Sequence, residues 1–383
     1  MDVDAPRGLL RAFEGLEDPR MERTKHHSLG DILAIAVCAT ICGADDWTKM
    51  ALFGQCKEKW LRTFLDLPNG IPSHDTFRRV FMLLDPDAFE QCFMAWIGEL
   101  AVASAGRLIA IDGKTLRRSF DRAHGKAAVH MVSAWCDANA MVLGQVATDD
   151  KSNEITAIPR LLKLIDVTGA VVTIDAMGCQ KEIAKTIVDQ GGDYVLQLKG
   201  NQGGLYDETV ELFDQCLRDD CLGIPYTTAT TVNKGHGRLE RRTIWATEEV
   251  GWFAERDKWK HLRSLARVRC ERTIDGETST EDHYYISSLA ADPTTLLGYI
   301  RGHWSIENRL HWSLDISFAD DDRRTRVGHG AENATRLARI ALNLLKAETT
   351  LKAGIKSKRL MCGWDHDYLL TVLTGPPNEN LDA

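Results

Sequence analysis

Two aspartates in this sequence each follow a short apolar run of the kind that forms a buried strand. Residues 107–111 lead to Asp112, which is followed by Gly-Lys-Thr-Leu-Arg, and residues 171–174 lead to Asp175. A carboxylate at the end of a buried strand is unfavourable unless a positive charge lies beside it. We therefore predict that Asp112 and Asp175 share a site for a hard cation, to which a third carboxylate contributes.

The third carboxylate is predicted from a helix over residues 296–317. Residues four apart share one face of a helix, and His303, Glu307, His311 and Asp315 have this spacing. We take Glu307 as the third ligand, because three carboxylates suit Mg²⁺ or Mn²⁺, which prefer oxygen. Two such ions can stabilise the attacking and leaving oxygens of an in-line phosphoryl displacement, so the pattern indicates phosphoryl transfer.

Each of these features has a simpler interpretation. A strand-end aspartate before a glycine is often a turn residue, and a single glutamate such as Glu307 is often solvated or ion-paired. His303, Glu307 and His311 could instead form a zinc site, although no zinc-type motif accompanies them. These alternatives stay open on the residues alone.

Length and composition indicate a globular chain. Its 383 residues are too many for one small domain, and 44% hydrophobic and 27% charged residues are ordinary globular values. No stretch approaches the ~20 apolar residues of a membrane span, and the acidic N-terminus does not resemble a secretion signal. The ten cysteines lack zinc spacing, so we expect free, mostly buried thiols and a cytoplasmic protein.

The charge distribution is more informative than the net charge. The net charge of −8 argues mildly against a nucleic-acid partner. The basic residues, however, are clustered at 117–118, 234–242, 323–326 and 356–359. The sign of the total charge therefore decides nothing about binding to DNA.

The hydrophobic pattern predicts helices, then an α/β core, then more helices. The first hundred residues are predicted helical, with caps at Ser28 and Ser73. Predicted strands end at Asp112 and Asp175 and flank a hairpin over 130–146, and a further strand covers 194–198. Predicted helices lie at 157–164, with Pro159 in the first turn, and at 179–190. Residues 203–290 are predicted to be β-rich, and 296–317 and 331–347 helical. This order is typical of a mixed α/β sheet.

Several motifs along the chain, taken together and in order, resemble a known protein family. They are Asp-Gly-Lys-Thr-Leu-Arg (112–117), Lys-Ser-Asn-Glu-Ile-Thr-Ala-Ile-Pro (151–159), Thr-Ile-Asp-Ala-Met-Gly-Cys-Gln (173–180), Gln-Leu-Lys-Gly-Asn-Gln (197–202), Tyr-Tyr-Ile-Ser-Ser (284–288) and His-Trp-Ser-Ile-Glu-Asn-Arg-Leu-His-Trp (303–312). They closely resemble the DDE transposases of the H-repeat-associated insertion-sequence type. Gly-Ile-Pro-Ser-His-Asp-Thr-Phe (70–77) and residues 28–47 resemble that family's associated N-terminal domain.

The resemblance implies a fold, a site and a reaction. It implies a ribonuclease-H-like mixed sheet with a β-rich insertion and an N-terminal helical domain. The catalytic metals, two Mg²⁺ or Mn²⁺ ions, would be bound by Asp112, Asp175 and Glu307. Water would attack the phosphodiester at the end of the element, and the freed 3′ hydroxyl would attack target DNA. The partners would be the element's terminal inverted repeats and target DNA, with a homodimer holding two ends and no membrane partner.

The expected domain boundaries follow the same resemblance. They are a helical domain over 1–102 for end binding or dimerisation, a first part of the core over 107–202, the insertion over 203–290, a second part of the core over 291–350 and a tail over 351–383.

The chain departs from the family's pattern around Glu307. Wider relatives carry a Tyr-x-x-Arg-x-x-x-Glu-x-x-x-x-x-x-Lys helix, whereas the Tyr, Arg and Lys positions here are Ile300, His303 and Leu314. Phosphate contacts must therefore come from other residues. The candidate DNA-binding residues are Lys114, Arg117, Lys199, Asn201, His236, Arg238, Arg301, His303 and Arg326.

Two other functions are compatible with these observations. The chain could be a non-catalytic DNA-binding relic or repressor, although a relic has no reason to keep Asp112, Asp175 and Glu307. It could also be a metal-dependent nuclease that does not transfer strands, which the sequence does not distinguish from a transposase.

Overall fold

A computed structural model of the chain describes residues 11–100, 107–120, 127–148, 153–218, 223–235 and 237–374. Its nine strands are β1 (Leu108–Thr115), β2 (His130–Cys136), β3 (Met141–Ala147), β4 (Val171–Ile174), β5 (Asp193–Leu198), β6 (Thr227–Gly235), β7 (Arg238–Thr247), β8 (Ser264–Ile274) and β9 (Glu277–Ser287). They form one mixed sheet in the order β3-β2-β1-β4-β5-β9-β8-β7-β6.

The first five strands combine an antiparallel hairpin with parallel pairing. Strands β2 and β3 form an antiparallel hairpin, whereas β1 is parallel to β4 and β4 is parallel to β5. The remaining four strands continue the sheet with antiparallel pairing from β5 through β9 to β6. The predicted fold class, a mixed α/β fold with a β-rich addition, is confirmed.

The helices precede, interrupt and follow the sheet. They are α1 (Leu29–Ile41), α2 (Trp47–Leu61), α3 (His74–Leu83), α4 (Pro86–Leu100), α5 (Glu154–Leu162), α6 (Lys181–Asp189), α7 (Gly203–Arg218), α8 (Pro293–His303), α9 (Trp312–Phe318), α10 (Gly330–Ala347), α11 (Ile355–Trp364) and α12 (His366–Thr374). A π-helix covers Ile306–His311. The predicted caps are confirmed, because the Ser28 and Ser73 hydroxyls accept hydrogen bonds from the third residues of α1 and α3.

The described chain divides into two compact units. The central unit comprises residues 103–112 and 152–306, and the terminal unit comprises residues 1–102, 113–151 and 307–383. Among the described residues, the chain passes between them at the bonds Asp112–Gly113 and Ile306–Glu307. Strand β1 therefore contributes its first residues to the central unit and its last three to the terminal unit.

The core of the central unit lies between the sheet and the helices that cover it. Val171, Val195, Ile244 and Val268 from the strands pack with residues of α8, among them Leu297. Helix α8 lies close to β1, because a Cβ added at Gly302 would be 2.3 Å from Leu108 Cδ2. A glycine at this position therefore lets the helix approach the sheet.

The core of the terminal unit is organised around α10, which is buried along nearly its whole length. The Asn343 amide exchanges two hydrogen bonds of 2.9 Å with the backbone of Val142 in β3. Arg336 donates to Glu90 of α4 at 2.9 Å, and Glu90 in turn accepts from the backbone of Gln145 at 2.9 Å. These contacts satisfy polar groups that would be costly to bury alone.

Several local predictions were wrong. The predicted helix over 296–317 is divided into α8, the π-helix and α9. Residues 203–218, predicted to begin a β-rich region, form α7, because Leu205, Thr209, Phe213 and Cys216 lie on one buried helical face. Helix α5 begins at Glu154, so Pro159 lies inside the helix rather than in its first turn.

Two further findings concern the cysteines and the membrane. Cys216 takes part in a disulfide bond, so the expectation of free thiols was wrong at this position. Cys38, Cys136, Cys179 and Cys362 are free and buried, as predicted. None of the described helices is long and apolar enough to cross a membrane.

Candidate metal and DNA-processing site

The parallel pairing of β1 with β4 places Asp112 and Asp175 at equivalent positions. The last paired residues are Ile111 and Ile174, and each aspartate is the next residue in its strand or loop. Neighbouring strands lie about 4.8 Å apart, so the two carboxylates belong to the same edge of the central unit's sheet. Strand β1 continues to Thr115, so Asp112 follows the paired segment but does not end the strand.

The loop after Asp175 is held by hydrogen bonds on both sides. The Asp175 Oδ1 atom accepts from the backbone nitrogens of Met177 at 3.0 Å and Gly178 at 3.3 Å. The Asn201 side chain donates to the carbonyl oxygen of Ala176 at 2.8 Å, and the Gln202 side chain donates to that of Cys179 at 2.8 Å. Two amides that follow β5 thus fix the backbone that carries Asp175.

The electrostatics around Asp175 favour binding of a cation. Burial raises the pKa of Asp175, and the nearby Glu154 carboxylate raises it further. The two backbone N–H groups and Lys199 lower the pKa, but they do not fully offset the burial. A half-buried carboxylate with another carboxylate beside it has uncompensated negative charge, which a divalent ion would neutralise. The donor set therefore fits a hard metal ion.

His303 is anchored beside the strand that leads to Asp175. Its Nδ1 atom lies 3.0 Å from the Thr173 hydroxyl, which is two residues before Asp175. His303 and Glu307 were predicted to share one face of a regular helix. They do not lie on one regular helix, because α8 ends at His303 and a π-helix follows. Widened helical turns of this type are frequent at functional sites.

In the terminal unit, Glu307 is oriented by His311. The Glu307 Oε2 atom lies 2.8 Å from His311 Nδ1. The His311 side chain is only 4% exposed, whereas that of Glu307 is 59% exposed. The hydrogen bond to His311 lowers the pKa of Glu307, and Lys114 contributes in the same direction. Glu307 is therefore held as an ionised carboxylate by a buried imidazole, an arrangement common among metal ligands.

The candidate DNA-binding residue Lys114 is already engaged with carboxylates. Its ammonium forms a close ion pair with Asp315 and lies 3.7 Å from Asp321, and the side chain is only 10% exposed. Arg117, by contrast, is exposed, and its guanidinium lies 3.3 Å from Asp321. Lys114 therefore neutralises Asp315 and Asp321, and Arg117 is more accessible to a ligand than Lys114.

The other DNA-binding candidates lie in different environments. Lys199 and Arg301 are exposed in the central unit. Arg238 forms an ion pair of 3.1 Å with Glu240. Arg326 donates to the Arg118 carbonyl oxygen at 3.3 Å and lies over the Phe120 ring in the terminal unit. His236 lies outside the described residues.

Sequence reasoning missed three contributors to this region. Glu154 had no predicted role, although its negative charge raises the pKa of Asp175. Asn201 was expected to bind DNA, but its amide fixes the Asp175 loop, as does that of Gln202. The signal for these roles was their place in the motifs 151–159 and 197–202, but only the structure identifies their partners.

Nearly the whole chain is similar to proteins described as transposases. The family model described as "Transposase DDE domain" matches residues 103–344, and the one described as "DDE_Tnp_1-associated" matches residues 10–97. "Putative transposase YncI" of Escherichia coli O157:H7 is 41% identical over 95% of this chain and 94% of its own length. "H repeat-associated putative transposase YhhI" of Escherichia coli K12 is 38% identical over 96% of this chain and 98% of its own length.

Among solved structures, the chain is similar to the piggyBac transposase in a synaptic complex with hairpin DNA. The similarity covers 96% of this chain and 80% of the piggyBac chain, with a TM-score of 0.45 and 11% sequence identity.

Proposed function

Because the chain belongs to the family defined by the DDE transposase domain, we propose that it is a metal-dependent enzyme that moves its own insertion sequence. It would cleave DNA at the ends of the element and join the freed 3′ ends to target DNA. The observation that carries the proposal is the pairing of Ile111 with Ile174, since it places Asp112 and Asp175 at one sheet edge.

Asp112, Asp175 and Glu307 are the proposed catalytic residues. Support for Asp175 comes from its burial beside Glu154, and support for Glu307 from its hydrogen bond with His311. By type, Asp112, Glu307 and His311 are candidate ligands for a divalent ion. Divalent ions, most simply two Mg²⁺ or Mn²⁺, would supply the positive charge that stabilises the phosphoryl-transfer transition state.

The residues of the chain have distinct parts in this scheme. The Asp175 loop, fixed by Asn201 and Gln202, keeps its carboxylate from moving away when charge develops on the phosphate. His311 keeps Glu307 ionised and oriented. In the first step, water attacks a phosphodiester and a 3′ hydroxyl leaves. In the second, that hydroxyl attacks the target phosphodiester, so one P–O bond forms as another breaks and no covalent enzyme intermediate is needed.

DNA is the proposed partner, and a homodimer is proposed for the DNA complex because two ends must be held together. The exposed arginines Arg117 and Arg301 and the exposed Lys199 are proposed to contact phosphates. Contacts of this type make binding weaken steeply as salt rises.

The proposal is tested with purified protein and duplexes that carry the ends flanking the gene. Wild type is compared with Asp112→Asn, Asp175→Asn and Glu307→Gln, in Mg²⁺, Mn²⁺ or EDTA. Asp189→Asn is the matched control, since Asp189 is an exposed acid on α6 that pairs with Lys185. We expect metal-dependent nicking at the end junction by wild type and the control, none by the three variants, and similar DNA binding by all.

The other outcomes separate the alternatives. Nicking without joining of 3′ ends to a target plasmid would indicate a nuclease rather than a transposase. DNA binding without cleavage by any protein would indicate a relic. Normal cleavage by Asp112→Asn or Glu307→Gln would overturn the assignment of the site.

A further inference from the structure

A pocket that bears several cations lies within the terminal unit. It has a volume of about 630 Å³ and is lined by the first residues of α2, by α3 and by residues 318–327. We name it the arginine pocket after its basic lining, which consists of Lys49, Arg78, Arg323, Arg324 and Arg326, with Trp47 beside them. Its size is within the range of about 300–1,000 Å³ usual for small-ligand sites.

The acids that line the pocket are already neutralised. Asp45 forms a close ion pair with Arg359, Asp46 lies 3.0 Å from Lys49, and Asp322 lies 3.3 Å from Arg118. Arg78 lies 3.4 Å from Asp75.

Arg323, Arg324 and Arg326 differ from these residues, because none has a carboxylate partner in the part of the chain that the structure describes. Three arginines within four residues therefore line one pocket, and the guanidinium groups of Arg323 and Arg326 contact carbonyl oxygens and an aromatic ring rather than carboxylates among the described residues. Their planar donor forks match the oxygens of a phosphate.

The segment that carries these arginines is fixed by its backbone. The His329 nitrogen donates to the Met82 carbonyl oxygen at 3.1 Å. Gly328 has a φ of +56°, and a Cβ there would lie 2.5 Å from the same oxygen, so only glycine fits. Arg323 donates to the Ala334 carbonyl oxygen at 3.1 Å. The segment is thus preorganised, while the Arg324 side chain remains exposed.

Trp47 gives the pocket an aromatic surface. It is stacked on Phe81 with ring centroids 5.0 Å apart and an interplanar angle of 8°. One face of the indole is therefore covered by Phe81, and the half-buried side chain also lines the pocket. Arginines next to an aromatic ring are the combination with which proteins bind single-stranded nucleic acid, through phosphate contacts and base stacking.

We propose that the arginine pocket binds one unpaired nucleotide of a DNA strand, with its phosphate on Arg324 and Arg326 and its base against Trp47. A duplex is too wide to enter a pocket of this size, so the base must be unpaired. The proposal rests on the proposed function, since it takes the ligand to be the DNA on which the enzyme acts. A free nucleotide has the same chemistry, and the test separates the two sources.

The test measures DNA binding by fluorescence anisotropy in EDTA, so that catalysis does not enter. The probes are a blunt duplex and the same duplex with a short single-stranded tail, and dAMP is the competitor. We expect wild type to prefer the tailed duplex. The double variant Arg324→Gln/Arg326→Gln should bind it roughly tenfold more weakly, and the slope of log affinity against log salt should fall by about one per arginine.

Two further variants isolate the aromatic ring. Trp47→Leu should lose the preference for the tail, a loss of roughly tenfold, whereas Trp47→Phe should keep most of it because the ring is retained. The control Arg23→Gln/Lys59→Gln removes two exposed charges elsewhere in the terminal unit and should leave the tail preference unchanged. Thermal unfolding of each variant shows whether it remains folded.

Three results would overturn the inference. Equal affinity of wild type for tailed and blunt duplexes would do so, as would arginine variants that bind like the control. Displacement of the tail by dAMP at concentrations near those of the DNA would show that the pocket takes free nucleotides. If wild type cleaves its ends normally while the pocket variants bind like the control, only this inference fails. If wild type binds no DNA, the proposed function fails with it.

Discussion

The side-chain amide of Asn201 donates a hydrogen bond of 2.8 Å to the carbonyl oxygen of Ala176, the residue after Asp175. This contact connects the turn after β5 with the loop after β4. Gln202 makes the equivalent contact with Cys179. The position of the Asp175 carboxylate therefore depends on residues more than twenty positions later in the chain.

Replacing Asn201 by Ala should slow DNA cleavage without weakening DNA binding. The Ala176 carbonyl loses its donor, so the loop that carries Asp175 becomes less well fixed. Loss of a supporting contact of this type typically costs roughly 10- to 100-fold in activity or metal affinity. The single-turnover cleavage rate as a function of Mg²⁺ or Mn²⁺ concentration measures the effect. Asn233→Ala, at an exposed position in β6, is the control; unchanged rates in Asn201→Ala would contradict a positioning role.

The strands that carry the aspartates were predictable, because short apolar runs bounded by polar residues are a local property of the sequence. Residues 171–174 form β4 as predicted, and the hairpin predicted over 130–146 is β2 and β3. The neighbouring positions of Asp112 and Asp175 were a hypothesis only, since local pattern does not determine which strands pair. The register of β1 against β4 supplies that information.

The features that could not be predicted depend on contacts between distant segments. The spacing of apolar residues does not distinguish the π-helix around Glu307 from an α-helix, so residues 296–317 were interpreted as one regular helix. Lys114 was predicted to be a candidate DNA-binding residue, yet its ammonium is paired with Asp315, about two hundred residues later in the chain. Helix α10 contains Arg336 and Arg339 but is buried, because Glu90 and Thr335 accept their hydrogen bonds.

Replacing Gly178 by Ala should destabilise the protein. A Cβ at this position would lie 2.2 Å from Ile174 Cγ2 and 2.9 Å from Ile158 Cδ1, so the packing under the Asp175 loop must shift. Overpacking of this type costs about 1–3 kcal/mol. Urea denaturation measures the change in the free energy of unfolding. Gly200→Ala is the matched control because nothing lies within 4 Å of its added Cβ; equal stability of the two variants would show that the loop yields without cost.

Replacing His311 by Gln should shift the pH dependence of cleavage. The hydrogen bond from His311 lowers the pKa of Glu307, so Glu307 stays ionised as the pH falls. A weaker bond lets that pKa rise, and activity that needs the carboxylate is then lost at a higher pH. We expect the acid limb of the rate profile to move upward and the maximal rate to fall roughly tenfold or more. His74→Gln, at an exposed histidine beside Asp75, should leave the profile as in wild type, and an unshifted profile in His311→Gln would exclude the proposed role.

Replacing Glu348 by Gln should destabilise the attachment of α11 and α12, and the effect should depend on pH. Burial alone would raise the pKa of Glu348, but hydrogen bonds from Thr350, Tyr368 and Lys358 outweigh it and lower the pKa to about 2. The Tyr368 hydroxyl donates at 2.6 Å, and the Lys358 ammonium lies 3.1 Å away.

Because the folded-state pKa lies below the ordinary value of 4.5 for a glutamate, the carboxylate stabilises the fold above about pH 4.5. That stabilisation decreases as the pH falls towards 2. At pH 7 Glu348→Gln leaves the buried Lys358 ammonium without its counter-charge, and a loss of about 3–5 kcal/mol in the free energy of unfolding is expected. Urea denaturation at pH 7 and at pH 3 should show the difference between variant and wild type shrinking at the lower pH.

The control Glu58→Gln removes a partly exposed ion pair with Arg62 and should cost about 0.5 kcal/mol or less at both pH values. A Glu348→Gln penalty that is the same at both pH values would mean that the lost interactions do not depend on the charge of the carboxylate.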